Sequence, residues 1–207
     1  MSADASAICT WLSSLASTIV TDKDDAADLA SRLAAASALP AADLAAESLA
    51  LMRVIGESVK DAAGFNAIKA GQFDDDDTVH VGAILFAVGL ALAGARAGWI
   101  SRPQARAARD RISAAGDTAL AAISSIGAEA SELYGWLSNL VQISVRLVSD
   151  EAANAVPVVR VESGISLPST VLAYKLYGDA SRAGGLVEVA GSATPMLMPV
   201  AFDALES

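Results

Sequence analysis

From Thr78 to Ala95 the chain runs eighteen residues without an Asp, Glu, Lys or Arg, and His80 is the one titratable side chain in the run. Four consecutive aspartates, Asp74 to Asp77, precede it; five arginines, Arg96, Arg102, Arg106, Arg109 and Arg111, follow within sixteen residues. A segment this long and apolar has two outlets: a membrane, which needs about twenty residues, or the interior of a helical bundle. Ala83, Ala87, Ala91 and Ala95 fall at four-residue steps, a small-residue face that serves helix pairs in either setting. No second run of this kind is present, and no aromatic belt flanks its N-terminal end. The expectation is a buried central helix of a bundle, with no membrane span; a small membrane protein using 78–95 is the alternative.

The remaining sequence agrees with a bundle. Alanine supplies 46 of 207 residues, the hydrophobic fraction is 54 % and aromatics are only 5 %. So much alanine favours helix, the shortage of β-branched and aromatic residues argues against an all-β fold, and the apolar content excludes disorder. Helices are predicted over 4–20 (Ile8, Trp11, Leu12, Leu15 and Ile19 on one stripe), 25–38 (Leu29, Leu33) and 41–61 (Leu44, Leu51, Ile55, Val59). Another begins near Arg102. A last one, over 128–153, carries Leu133, Trp136, Leu137, Leu140, Ser144 and Leu147, and is expected to close the bundle with its tryptophan in the core.

Whole classes of chemistry lack their residues. Cys9 and His80 are each alone, so there is no CxxC site, no intramolecular disulfide and no multi-histidine metal centre. No phosphate-binding glycine loop occurs. The four aspartates are contiguous, unlike the alternate ligands of a calcium loop; they suit a solvated helix N-terminus, where negative charge complements the macrodipole. His80 reads as a structural histidine near that helix start. Tyr174, Lys175 and Tyr177 lie close together, but the tyrosines at this spacing pack rather than catalyse. The expectation is a protein that is not an enzyme, with no cofactor and no metal. Met1 to Ala7 has no basic region ahead of an apolar stretch, so it is not read as a secretory signal.

Charge is unevenly spread: −8 over 1–77, +3 over 78–127 and −5 over 128–207, for a net −10. This balance disfavours a general polyanion binder. On a helix starting near Arg102, positions 102, 106 and 109 share a face. Arg96, Arg102, Arg106, Arg109 and Arg111 are therefore a candidate docking patch, for an acidic partner subunit ahead of DNA phosphates, with an ordinary solvated face as the alternative.

At Pro157 the periodicity changes. Val158 to Glu162 alternates and reads as a strand; Ser169 to Tyr177 follows as a short helix ended by Gly178. Asp179 can cap a second helix carrying Ala183, Leu186, Val187 and Ala190 and closed by Gly191, although Gly184-Gly185 weakens it. Val200-Ala201-Phe202 is a final strand. The order β-α-α-β within some fifty residues is the layout of a LysM-type module. The predicted architecture is thus mainly α: an alanine-rich helical bundle over 1–156 followed by a small βααβ, LysM-like module over 157–207.

The run Ser166-Leu167-Pro168-Ser169-Thr170-Val171-Leu172-Ala173-Tyr174-Lys175-Leu176-Tyr177-Gly178-Asp179-Ala180-Ser181-Arg182-Ala183 resembles the C-terminal signature of phage Mu-type DNA circularisation proteins, which are tail and baseplate proteins of contractile phages. Ile100 to Ile112 (ISRPQARAARDRI) is similar to the helix-turn after that family's central alanine-rich helix. The residues carrying the likeness are Leu167, Pro168, Leu172, Ala173, Tyr174, Leu176, Tyr177, Gly178, Asp179 and Arg182. The family's usual N-terminal domain has no counterpart in this sequence, and after Ala183 the chain reads Gly-Gly-Leu-Val-Glu-Val-Ala-Gly in place of a polar run. The resemblance implies a virion structural subunit made in the host cytoplasm and built into a multi-copy tail or baseplate by contacts with other tail proteins. A DNA-circularising or DNA-protecting factor and a peptidoglycan-binding module are the alternatives.

Overall fold

The computed structural model describes residues 3–206. Among them 70 % are helical, in nine helices, with one two-stranded antiparallel sheet, so the protein is mainly α. It divides into two compact units. One holds the chain up to Gly98 with Ala107–Ser149; the other holds Trp99–Arg106 with the chain from Asp150 on. Where sequence periodicity divides the chain at 156, the second unit also takes in 150–156 and the segment before Ala107.

The first unit contains α1 (Ala5–Ile19), α2 (Lys23–Ala36), α3 (Ala41–Glu57), α4 (Ala62–Ala67), α5 (Asp76–Gly94) and most of α6 (Arg102–Ile126) and α7 (Ser131–Asn154). Aspartates start several of these helices. Asp4 accepts from the Ser6 and Ala7 amides, Asp22 from those of Asp24 and Asp25, and Asp75 from that of Thr78. Each satisfies donors that a helix N-terminus leaves unpaired. Asp76 and Asp77 occupy the first turn of α5, where the macrodipole favours them.

The third helix, expected to reach 61, ends at Glu57. The Ser58 hydroxyl donates back to the Val54 carbonyl at 2.8 Å, and Val59 reaches the core from beyond the helix end. The short α4 was not anticipated. Asp61 caps it by accepting from the Gly64 amide at 2.8 Å, and it carries Phe65 into the core.

Among the described residues α5 alone is long and apolar enough to cross a membrane, and 61 % of its apolar window is buried within the protein. It crosses α3 closely. A Cβ on Gly56 would stand 3.0 Å from the Gly89 carbonyl oxygen and 3.1 Å from the Leu92 Cβ, so absence of side chain lets the two backbones approach. Ser144 of α7 donates to the Ala91 carbonyl of α5 at 2.7 Å in a fully buried contact.

The packing of α7 differs from expectation. Leu137 and Ser144 are buried, but Trp136 is 47 % exposed and Leu147 49 %. The apolar arc of α7 is wider than the face its neighbours cover, so the inward side is Leu137, Val141, Ser144 and Val148, and the tryptophan lies at the uncovered edge.

In the second unit β1 (Val158–Glu162) pairs antiparallel with β2 (Ala201–Leu205), Val161 opposite Phe202 and Val159 opposite Ala204. Between them come α8 (Ser169–Tyr177), a 3-10 turn Ala180–Arg182 and α9 (Ala183–Ala190). The second helix of the module is thus broken where one was expected, and the last strand runs to Leu205. Gly178 and Gly191 end the helices in the left-handed conformation, φ 71° and 60°. Leu172, Ala173, Ala183, Leu186, Met198, Phe202 and Ala204 form the core between sheet and helices.

Candidate docking surfaces

The five arginines do not act alike. Within the first unit, Arg109 and Arg111 lie two positions apart on α6 and so face different ways. Arg109 pairs with Asp110 at 2.6 Å. Arg111 is half-buried: it donates to the Phe65 and Ile68 carbonyls and stacks on the Phe65 and Phe86 rings at 5.1 and 5.6 Å. Burial pulls its pKa below the usual guanidinium range. It lines an apolar hollow of about 420 Å³ beside Phe73 and Phe86. Arg96 is exposed just past the end of α5. Within the second unit, Arg102 and Arg106 share a face of α6, but Arg102 donates to the Ala152, Ala153 and Ala155 carbonyls at the C-terminal end of α7. Only Arg106 of that pair is exposed. Two of the five are therefore engaged with backbone carbonyls, a use that spacing alone does not reveal.

The ten residues of the C-terminal signature mostly build the module. Leu172 and Ala173 are buried, and Leu167, Leu176 and Tyr177 pack against the same core. The Pro168 carbonyl accepts from the Val171 and Leu172 amides at the start of α8. Gly178 supplies the left-handed turn. Asp179 accepts from the Ser181 hydroxyl and amide, both at 2.8 Å, and these bonds hold its carboxyl below the usual range. Tyr177 accepts from the Leu205 amide at 3.1 Å, and the Arg182 guanidinium lies 3.9 Å over its ring. Tyr174 differs: its ring is 65 % exposed.

The more telling surface lies at one end of the module. The loop after β1 and the loop before β2 are joined by the Ser163 amide to the Val200 carbonyl (2.8 Å), the Met198 amide to Leu167 (3.0 Å) and the Ser169 amide to Pro195 (2.7 Å). The Ser166 hydroxyl adds a bond to the Met198 carbonyl at 2.6 Å. Met198 turns inward, fully buried, and anchors the second loop. Ile165, Met196, Leu197 and Val200 point outward, 50–68 % exposed. Four aliphatic side chains on two cross-linked loops form a pre-ordered apolar rim. The signal for it in the sequence is Met196-Leu197-Met198 bracketed by Pro195 and Pro199, a spacing that disfavours a regular strand and leaves apolar residues in a loop.

Among the described residues no group of three or more His, Cys, Asp or Glu converges as metal ligands would. The Cys9 thiol is buried, and burial pushes its pKa up. No protein-family model matches the chain, and no curated protein matches it.

Proposed function

We propose that the protein is a structural subunit of a contractile phage tail or baseplate, acting by protein–protein docking through a LysM-like end module. The observation that carries this reading is the apolar rim of Ile165, Met196, Leu197 and Val200, held on two hydrogen-bonded loops. A docking site that keeps its shape before the partner arrives loses little entropy on binding. The resemblance of 166–183 to a tail-protein signature supplies the class of partner, and the strand–helix–helix–strand order supports the LysM-like description. In this reading the protein resides in the virion in several copies and performs no catalysis.

The peptidoglycan alternative uses the same end of the module. A saccharide calls for polar groups that hydrogen-bond its hydroxyls, and the outward residues here are aliphatic, which favours protein. The DNA alternative relies on arginines, two of which already hold carbonyls of their own chain. The experiment is incorporation into particles. The wild-type chain is expected to co-purify with tails, and the Met196→Glu/Leu197→Glu variant to remain folded but be lost from them. Wild-type protein found only in the soluble fraction of induced cells refutes the reading. Retention on purified peptidoglycan, or DNA binding that weakens steeply with salt, assigns the protein to one of the alternatives.

A further inference from the structure

On α7, Leu133, Trp136, Leu140, Ile143 and Leu147 follow one another at steps of three and four, the spacing of a coiled-coil seam. They form a stripe beside the inward face of the helix. Trp136, Ile143 and Leu147 are 47, 60 and 49 % exposed, and Leu133 and Leu140 are half-buried. Along the flank of this stripe away from the core lie Glu132, Asn139 and Arg146, one every seven residues and all exposed. Among the described residues neither Glu132 nor Arg146 has an ion-pair partner. The other flank opens onto a shallow groove with Leu49, Ala50, Val88 and Arg53, whose guanidinium is paired with Glu57.

We propose that α7 pairs antiparallel with α7 of a second copy of this chain, about a two-fold axis beside Asn139. The order acid, neutral, base along the flank complements itself only when reversed. Antiparallel pairing sets Glu132 of each copy against Arg146 of the other and Asn139 against Asn139. The same register layers Leu140 on Trp136 and Leu133 on Ile143, twice each, as an isologous interface requires. A parallel pair would leave the flanking charges without opposite partners. A membrane surface would call for a basic flank, which this helix lacks. The inference goes beyond the tail reading and stands without it, because a dimer of a chain absent from particles overturns only that reading.

The test is sedimentation of the full-length chain. The wild type is expected to be a dimer. Ile143→Glu, at an exposed position, is expected to yield a monomer with unchanged helical circular dichroism. At 0.15 M salt, where net-charge repulsion is screened, Glu132→Arg and Arg146→Glu each set like charges opposite twice, and each weakens the dimer about tenfold or more. The double variant E132R/R146E restores opposite pairs and regains most of the wild-type affinity. A wild type that stays monomeric up to its solubility limit overturns the proposal. So does a dimer indifferent to Ile143→Glu, or a double variant no tighter than the single ones. A monomer that floats with phosphatidylcholine vesicles assigns the seam to lipid, and one that pairs with another tail protein assigns it to that protein; either overturns self-pairing.

Discussion

Tyr177 connects three parts of the C-terminal module through one side chain. Its ring packs on the core, its oxygen accepts the Leu205 amide of β2, and its face carries the Arg182 guanidinium. Tyr177→Phe keeps the packing and the cation contact and removes only the acceptor, so it is expected to cost about 0.5–1.5 kcal/mol. Arg182→Ala removes the cation and is expected to cost about 0.5–1 kcal/mol. Denaturant titration reads both. A second residue-level contact has a pH signature. Glu47 accepts from Arg32 at 2.7 Å, and that hydrogen bond, with the charge behind it, holds the Glu47 carboxyl below the usual glutamate range. A carboxyl lowered on folding stabilises the protein above its unfolded pKa, and the gain is lost as pH falls through the folded value. Glu47→Gln is therefore expected to melt below wild type at pH 7, by under about 1 kcal/mol for so accessible a pair. The two curves should converge as pH drops below the ordinary glutamate range, and a difference that persists in acid would point to some cause other than this pair.

At the scale of elements, a core of large buried side chains such as Leu12, Leu51, Ile55 and Ile112 is joined by a close crossing of α3 and α5 that small residues permit. Gly56→Val places methyl groups against the Gly89 carbonyl and the Leu92 side chain, with backbone on one side that cannot swing away. The expected cost is about 1–3 kcal/mol of overpacking, read as a lower melting temperature, despite valine's better helix propensity. Local signals marked the elements well where one residue type does one job. The four aspartates mark the start of α5, Gly178 and Gly191 end their helices, and β1 and α8 have their expected bounds, whereas α2, expected over 25–38, runs Lys23–Ala36 behind its Asp22 cap. Signals failed where tertiary contacts decide. The apolar spacing of Leu51, Ile55 and Val59 carries on through the stop at Glu57, because Val59 is buried from beyond the helix end, and only Ser58 and the Asp61 cap mark the break. The apolar arc of α7 was visible, but which edge of it faces inward depends on where the neighbouring helices lie. The arginines were visible as a cluster, yet the engagement of Arg102 and Arg111 depends on carbonyls about fifty residues away in sequence. Of the docking rim, only the proline-bracketed methionines could have been noticed beforehand.

For the whole molecule, net charge competes with the apolar seam. Two bodies each of charge −10, at a separation on the order of 30 Å, repel by about 14 kcal/mol in water before screening. A Debye length of about 30 Å at 0.01 M salt leaves a sizeable part of that, and one of about 8 Å at 0.15 M leaves almost none. The two Glu132–Arg146 contacts of the proposed dimer pull the other way, but exposed pairs are worth under about 1 kcal/mol each. Repulsion therefore outweighs local attraction at low salt, while the apolar layers of Leu140, Trp136 and Ile143 are little affected by salt over this range. The dimer is expected to tighten at least about tenfold between 0.01 and 0.15 M salt and then level off, as read by sedimentation equilibrium. A dimer that loosens steadily with added salt would mean that the flanking ion pairs, and not the seam between them, hold the two copies together.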